Sequence, residues 1–258
     1  MNVDLYLQKL HVNAQKPSLE FLNELIAAHQ KLISFNNLAV FFNPGKILEL
    51  DLLPLFEKVI VRGEGGYCFE NNKIFYHLLL GLGFQVEAKL GRVIYDREGD
   101  LPRTHRTTIV TLDHVKYLAD VGFGKDAPPH AIPLEGEKVG LHQVIKTHDL
   151  YQLVLHKKES LFKLYTFDDG HYQESDYMVG NYYTNTHPAS KFTKEVIIVR
   201  REGNVLEFIN GRTYTKIDHG LRTDIEIKNQ KEFQDYLKHF HLYQSYDFEK
   251  VPPRLVEF

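Results

Sequence analysis

The stretch Arg62-Gly-Glu-Gly-Gly-Tyr-Cys-Phe-Glu-Asn-Asn-Lys-Ile-Phe-Tyr-His-Leu-Leu-Leu-Gly-Leu-Gly-Phe-Gln-Val-Glu-Ala-Lys-Leu90 holds both a change of backbone period and a lone cysteine. Between Phe69 and Leu80, Phe75 and Leu79 and then Tyr76 and Leu80 recur four residues apart, so each pair shares one side of a helix. Gly81 and Gly83 supply its stop. From Phe84 the period falls to two, with Phe84, Val86, Ala88 and Leu90 alternating against polar neighbours as in a half-buried strand. The stretch predicts a helix that opens at Cys68 and gives way to a β region.

Upstream, the pattern is helical. Ser18 is placed to cap Leu19–Leu32, where Leu22, Leu25, Ile26 and His29 or Gln30 recur at helical spacing, and Ile47–Val59 repeats the pattern. Ser34-Phe-Asn-Asn-Leu reads as the connector. Downstream, strand-like runs occupy 105–112, 115–121, 151–156, 161–167, 195–201 and 204–209, with turn signals at Asp168-Asp-Gly and Asn210-Gly. Lys231 to Phe240 closes the chain as an amphipathic helix. Helices, then strands, then a mixed region predict an α+β fold rather than a parallel α/β one.

The 258 residues, 43% hydrophobic, suffice for one large domain or two to three small ones. Lys and Arg number 31 against 34 Asp and Glu, so a formal charge of −3 creates no field to draw in nucleic acid or an anionic membrane. Neither partner is expected. The opening Met1-Asn-Val-Asp-Leu-Tyr-Leu has no signal-peptide pattern, and no run approaches the ~18 apolar residues of a membrane span. A single cysteine excludes an internal disulfide and fits a reducing compartment, so a cytoplasmic protein is expected.

Three glycines ahead of Cys68 let the backbone turn sharply and approach a ligand. Free N–H groups and the helix dipole at that position are expected to favour a thiolate and to hold a developing oxyanion. The alternative is a small buried hydrophobe. A nucleophilic thiol needs an imidazole, and the imidazole needs a carboxylate to orient it. Among 14 histidines, register selects one: Asp113-His114 reads as a two-residue hairpin turn. If Leu112 pairs with Val115, His105 falls opposite Gly122 and Thr107 opposite Asp120. His105 and Asp120 then lie diagonally on one face, within about 8 Å at their backbones. A one-residue slip would put them on opposite faces.

Taken alone, His105 also reads as a strand histidine facing solvent, and Asp120 as a turn carboxylate. Histidines at 142, 148, 156, 171, 187, 239 and 241 form no metal-ligating set, so no metal is expected. Asp168-Asp169 reads as a turn. Arg62 is expected to hold the cysteine loop through an ion pair, with Glu70 as its candidate partner. The backbone of Gly122-Phe-Gly-Lys-Asp, through Gly122 and Gly124, and the Lys125 ammonium are candidates to meet phosphates.

The motifs Arg62-Gly-Glu-Gly-Gly-Tyr-Cys-Phe-Glu70, Thr104-His105 after a Pro-Arg, and Asp120-Val-Gly-Phe-Gly124 resemble, in order and separation, those of the arylamine N-acetyltransferases. Looser matches at Ser34-Phe-Asn-Asn-Leu, at Asn181 to Phe192 and in the closing helix extend the resemblance over nearly the whole chain. The resemblance implies three segments around a cysteine-protease-like catalytic core. These are a helical bundle over 1–83 with Cys68, an antiparallel β-barrel over 84–190 with His105 and Asp120, and a mixed α/β lid over 191–258.

It also implies that Cys68, His105 and Asp120 are the catalytic triad of an acyltransferase. The donor would be acetyl-CoA, used as substrate with no permanently bound cofactor, and the acceptor an arylamine or hydrazine. Phe35, Phe123 and Phe192 match aromatic positions of the family's acceptor pocket, where rings stack on an arylamine. Two rivals share the residues: a cysteine hydrolase or transglutaminase-like enzyme, and a binding protein with an unreactive thiol.

Overall fold

The computed structural model describes residues 1–158 and 160–243, so the end of the expected 191–258 segment lies outside the described residues. The N-terminal part is helical. In α1 (Val3–Leu10) and α2 (Leu19–Leu32) the apolar stripes face each other, and Ser18 Oγ accepts the Phe21 N–H at 3.1 Å as the expected cap. The helix expected over Ile47–Val59 is shorter. Pro54 would sit inside such a helix, without an N–H and in collision with the preceding turn. The chain instead starts α4 (Leu52–Phe56) two residues before Pro54, where a missing N–H costs nothing, and continues as a π turn over Glu57–Val61.

The expected connector 34–38 contains a strand. β1 (Phe35–Asn36) pairs antiparallel with a strand of the C-terminal sheet, Phe35 opposite Val199, and is followed by the short α3 (Leu38–Phe42). Next comes α5 (Cys68–Gly81), which buries Ile74, Phe75, Leu78 and Leu79 against α1, α2 and α4.

The barrel follows: β2 (Gln85–Val93), β3 (Arg103–Leu112), β4 (Val115–Ala119), β5 (Ile132–Pro133), β6 (His142–Thr147), β7 (Leu150–His156) and β8 (Leu161–Asp168). All neighbours are antiparallel in the order β5-β4-β3-β2-β8-β7-β6, and the edges β5 and β6 approach each other, so the barrel is nearly closed. Its interior holds Ile109, Leu118, Leu153, Leu164 and Phe167. α6 (Glu174–Thr186) then leads to a five-stranded sheet, β1-β9-β10-β11-β12, whose last four strands are Ile197–Glu202, Val205–Asn210, Thr213–Asp218 and Leu221–Glu226. α7 (Gln230–His239) covers this sheet with Phe233 and Leu237. The α+β expectation holds. β6, α6, β11 and β12 were not read from the sequence; α6 is rich in Asn, Thr and Tyr with a central Gly180, and β12 is exposed along its length, so neither carries a strong apolar period.

One titratable group lies inside the helical core. His29 is fully buried, shares a 2.7 Å hydrogen bond with the Tyr6 hydroxyl through Nδ1, and is lowered by burial to about 3. Between about 3 and the ordinary value of 6.5 the unfolded chain binds a proton at His29 that the folded chain refuses. Stability at this site is therefore complete above 6.5 and falls as pH drops, by up to about 1.4 kcal/mol per pH unit. His29→Gln should flatten that acid limb in urea melts between pH 7 and pH 4; an unchanged slope would show that His29 does not set it.

Candidate active site

Cys68 opens α5 behind a loop that only glycine permits in part. Gly65 has φ +62°, and a β-carbon there would lie 2.2 Å from Ser34 O. The loop is held by a hydrogen bond from the Asn36 N–H to Gly66 O, by Asn36 Nδ2 to Glu64 O, and by the Tyr67 N–H to Glu70 Oε2. Lys58 pairs with Glu70 at 2.5 Å, and Arg62 engages Glu64. β1 thus anchors the cysteine loop and the C-terminal sheet together.

The β3–β4 hairpin takes the register read from the sequence: Leu112 opposite Val115, through Thr108 opposite Ala119, with Asp113 and His114 both at positive φ in the turn. His105 Nε2 and Asp120 Oδ2 meet at 2.7 Å, and both residues are 1% exposed. Burial would raise the Asp120 carboxyl, but the charge and hydrogen bond of His105, with bonds from Asn72 and the Gly122 N–H, hold it below its usual range. An ionised carboxylate only accepts, so the His105 proton sits on Nε2 and Nδ1 is left as a base.

Two residues that sequence reasoning missed complete this arrangement. Asn72 lies four residues beyond Cys68, on the same face of α5. Its Nδ2 donates to Arg106 O at 2.6 Å and to Asp120 Oδ1 at 2.9 Å, and its Oδ1 accepts the Val121 N–H at 3.0 Å. Tyr165 on β8 donates its hydroxyl to Asp120 Oδ2 at 2.8 Å and packs against the His105 ring at 4.7 Å. The helical position of Asn72 was legible; no local signal marks Tyr165, which arrives from a strand paired to β2.

The Cys68 thiol is buried and donates to Thr104 O at 3.5 Å. Burial pushes it up, backbone N–H bonds from Arg106 and Phe69 pull it down, and the charges of Asp120 and Glu70 push it further up. Burial therefore opposes the thiolate expected at the helix terminus. Ionisation of a buried thiol requires a proton acceptor that becomes a cation beside the sulfur.

Phe35 shares an apolar cluster with Cys68, and Phe192 packs against it, 6.2 Å from the Phe35 ring and 5.8 Å from Tyr67. Phe123 meets the His105 ring edge-on at 5.0 Å. Gly122 is tightly packed: a β-carbon there would lie 3.0 Å from Cys68 Cα and 2.6 Å from Asn72 Nδ2, and its N–H is already given to Asp120. Gly124 has φ +68° against the Phe35 ring, and Lys125 extends into solvent with Asp126 as its partner. No cluster of three or more metal-ligating side chains occurs among the described residues, and none of their helices is long and apolar enough to cross a membrane.

His105→Gln keeps the size of the side chain and removes the base. Iodoacetamide should alkylate the wild-type thiol at neutral pH, whereas the variant should need pH above the ordinary thiol value of about 8.5. Superimposable pH–rate profiles would show that His105 does not govern the thiol.

A protein-family model described as N-acetyltransferase matches residues 18–243. The arylamine N-acetyltransferase / N-hydroxyarylamine O-acetyltransferase of Salmonella typhimurium is 34% identical over 214 residues, covering 80% of this chain and 75% of that protein. The arylamine N-acetyltransferase of Mycolicibacterium smegmatis is 32% identical over 250 residues, 91% of this chain and 89% of that one. The fold superposes on Mycobacterium marinum arylamine N-acetyltransferase in complex with CoA with a TM-score of 0.92 at 25% identity, covering 99% of both chains. Matched in sequence over most of its length and in fold over nearly all of it, the chain belongs to the arylamine N-acetyltransferase family of acyltransferases.

Proposed function

We propose that this enzyme moves an acetyl group from acetyl-CoA to an arylamine, arylhydrazine or arylhydroxylamine in two steps, through an acetyl-Cys68 intermediate. The observation that carries the reading is the 2.7 Å bond between His105 Nε2 and Asp120 Oδ2, which leaves Nδ1 as the ring nitrogen available to act as a base. In the first step the thiol proton passes to His105 Nδ1 as sulfur attacks the thioester carbonyl. The C–S bond to CoA breaks, and the departing thiolate takes the proton from the imidazolium. In the second step the amine nitrogen attacks acetyl-Cys68, gives its proton to His105, and expels the Cys68 sulfur, which is reprotonated. Asp120 keeps the imidazole in one tautomer and stabilises its charged form.

Thiol chemistry suits this exchange because acetyl-Cys68 is a thioester as labile as the donor. Phe35, Phe123 and Phe192 supply rings for an aromatic acceptor. Gly124 and Lys125 are the positions offered to CoA; the Gly122 N–H is committed to Asp120, so Gly122 contributes close packing. The names of the relatives support the acceptor class, and the CoA-bound neighbour supports the donor. We assign the reaction to the cytoplasm, where acetyl-CoA and a reduced thiol coexist. The working division is 1–83, 84–190 and 191–258, with the site at the junction of the first two segments.

Intact-protein mass spectrometry after brief incubation with acetyl-CoA and no acceptor tests the intermediate. Wild type should gain the mass of one acetyl group and lose it on addition of an arylamine, while Cys68→Ala should gain nothing. Wild-type turnover with no acetylated enzyme at any time would exclude the two-step route.

A further inference from the structure

We propose that the cleft on the opposite side of β3 from His105 is a second binding site, and that it takes a small aryl carboxylate. Adjacent strand residues point to opposite faces, so Arg106 turns away from the thiol. It reaches a cavity of about 520 Å³ bounded by α5, α6 and the β2–β3 pair. The Arg106 guanidinium is buried and lies over the Tyr177 ring at 4.2 Å. Its two terminal nitrogens bond Glu174, but its Nε has no partner, and neither does the buried Tyr177 hydroxyl. Buried donors left unused are rare and costly, so two on residues that line one cavity call for an acceptor.

The charges agree. Three buried cations, Arg106, Lys73 and Lys89, face two carboxylates, Glu174 and Glu87, a surplus of one positive charge. Burial and then the Arg106 and Lys73 charges hold His77, on the same wall, toward its neutral form. Glu174, half exposed on α6, already sets a carboxylate against Arg106 and Lys73 and so displays the chemistry the cleft accepts. The remaining wall is aromatic and aliphatic: Tyr76, Tyr172, Leu52, Leu80 and Val86. A bare oxyanion would leave that wall wet, whereas an aryl carboxylate covers it and presents its oxygens to Arg106 Nε, Tyr177 and Lys73.

Isothermal titration of the full chain with benzoate tests the site, with inorganic phosphate as the comparison. Benzoate should bind once to wild type and with the same affinity after Cys68 is alkylated. Affinity should fall by about tenfold in Lys73→Gln and by severalfold in Tyr177→Phe, which removes only a hydroxyl and preserves the packing. Phosphate should bind at least about tenfold more weakly. Absence of saturable binding, loss of binding on alkylation, equal affinity for phosphate, or unchanged affinity in Tyr177→Phe would each overturn the proposal.

Discussion

The Asp120 carboxylate is the constraint around which the molecule is arranged. A charge with 1% exposure is tolerated only when its oxygens are fully hydrogen-bonded. Here Oδ1 accepts from Asn72 and the Gly122 N–H, and Oδ2 from His105 and Tyr165. These donors come from α5, the loop after β4, β3 and β8. Satisfying one carboxylate therefore registers the helical bundle against two separate strands of the barrel, and the same bonds set the imidazole tautomer. Removing one donor would leave a buried charge short of a partner, so the arrangement is coupled in a way that a list of pairwise contacts understates.

A second tie runs through β1. Two residues of an apparent connector pair with β9, while the Asn36 N–H holds Gly66 O, two residues before the thiol. The C-terminal sheet is thereby attached to the cysteine loop by backbone hydrogen bonds, and it carries Val199, Leu206 and Phe208 into the cluster that contains Cys68 and Phe35. Strand β3 is shared in another sense. Its residue 105 meets Asp120, its residue 106 lines the rear cleft, and the Arg106 backbone binds both the sulfur and Asn72.

Much of this was legible before the fold was known, and particular residues show why. The Asp113-His114 turn has the two positive-φ positions that a tight hairpin needs, and with the turn in place a period of two decides which side chains share a face. The pairing of His105 with Asp120 follows from that register. Helix α5 and its start at Cys68 were readable from four-residue spacing. Ile47–Val59 was misread because its apolar period outweighed the single Pro54 that forbids a long helix there. The burial that pushes the thiol up was not readable, because a helix N-terminus can be named from sequence, whereas the degree of burial around the sulfur cannot.

The sequence by itself determined the α+β class, the hairpin register, the order of Cys68, His105 and Asp120 along the chain, and the family they resemble, because each rests on spacing along one chain. Only the tertiary structure decided that Asn72 and Tyr165 complete the carboxylate's partners, that β1 belongs to the C-terminal sheet, and that Arg106 lines a separate cleft. Those facts depend on contacts between residues 34 to 164 positions apart, such as Asn72 with Arg106 and Phe35 with Val199. Local period carries no record of which distant surface a side chain will meet.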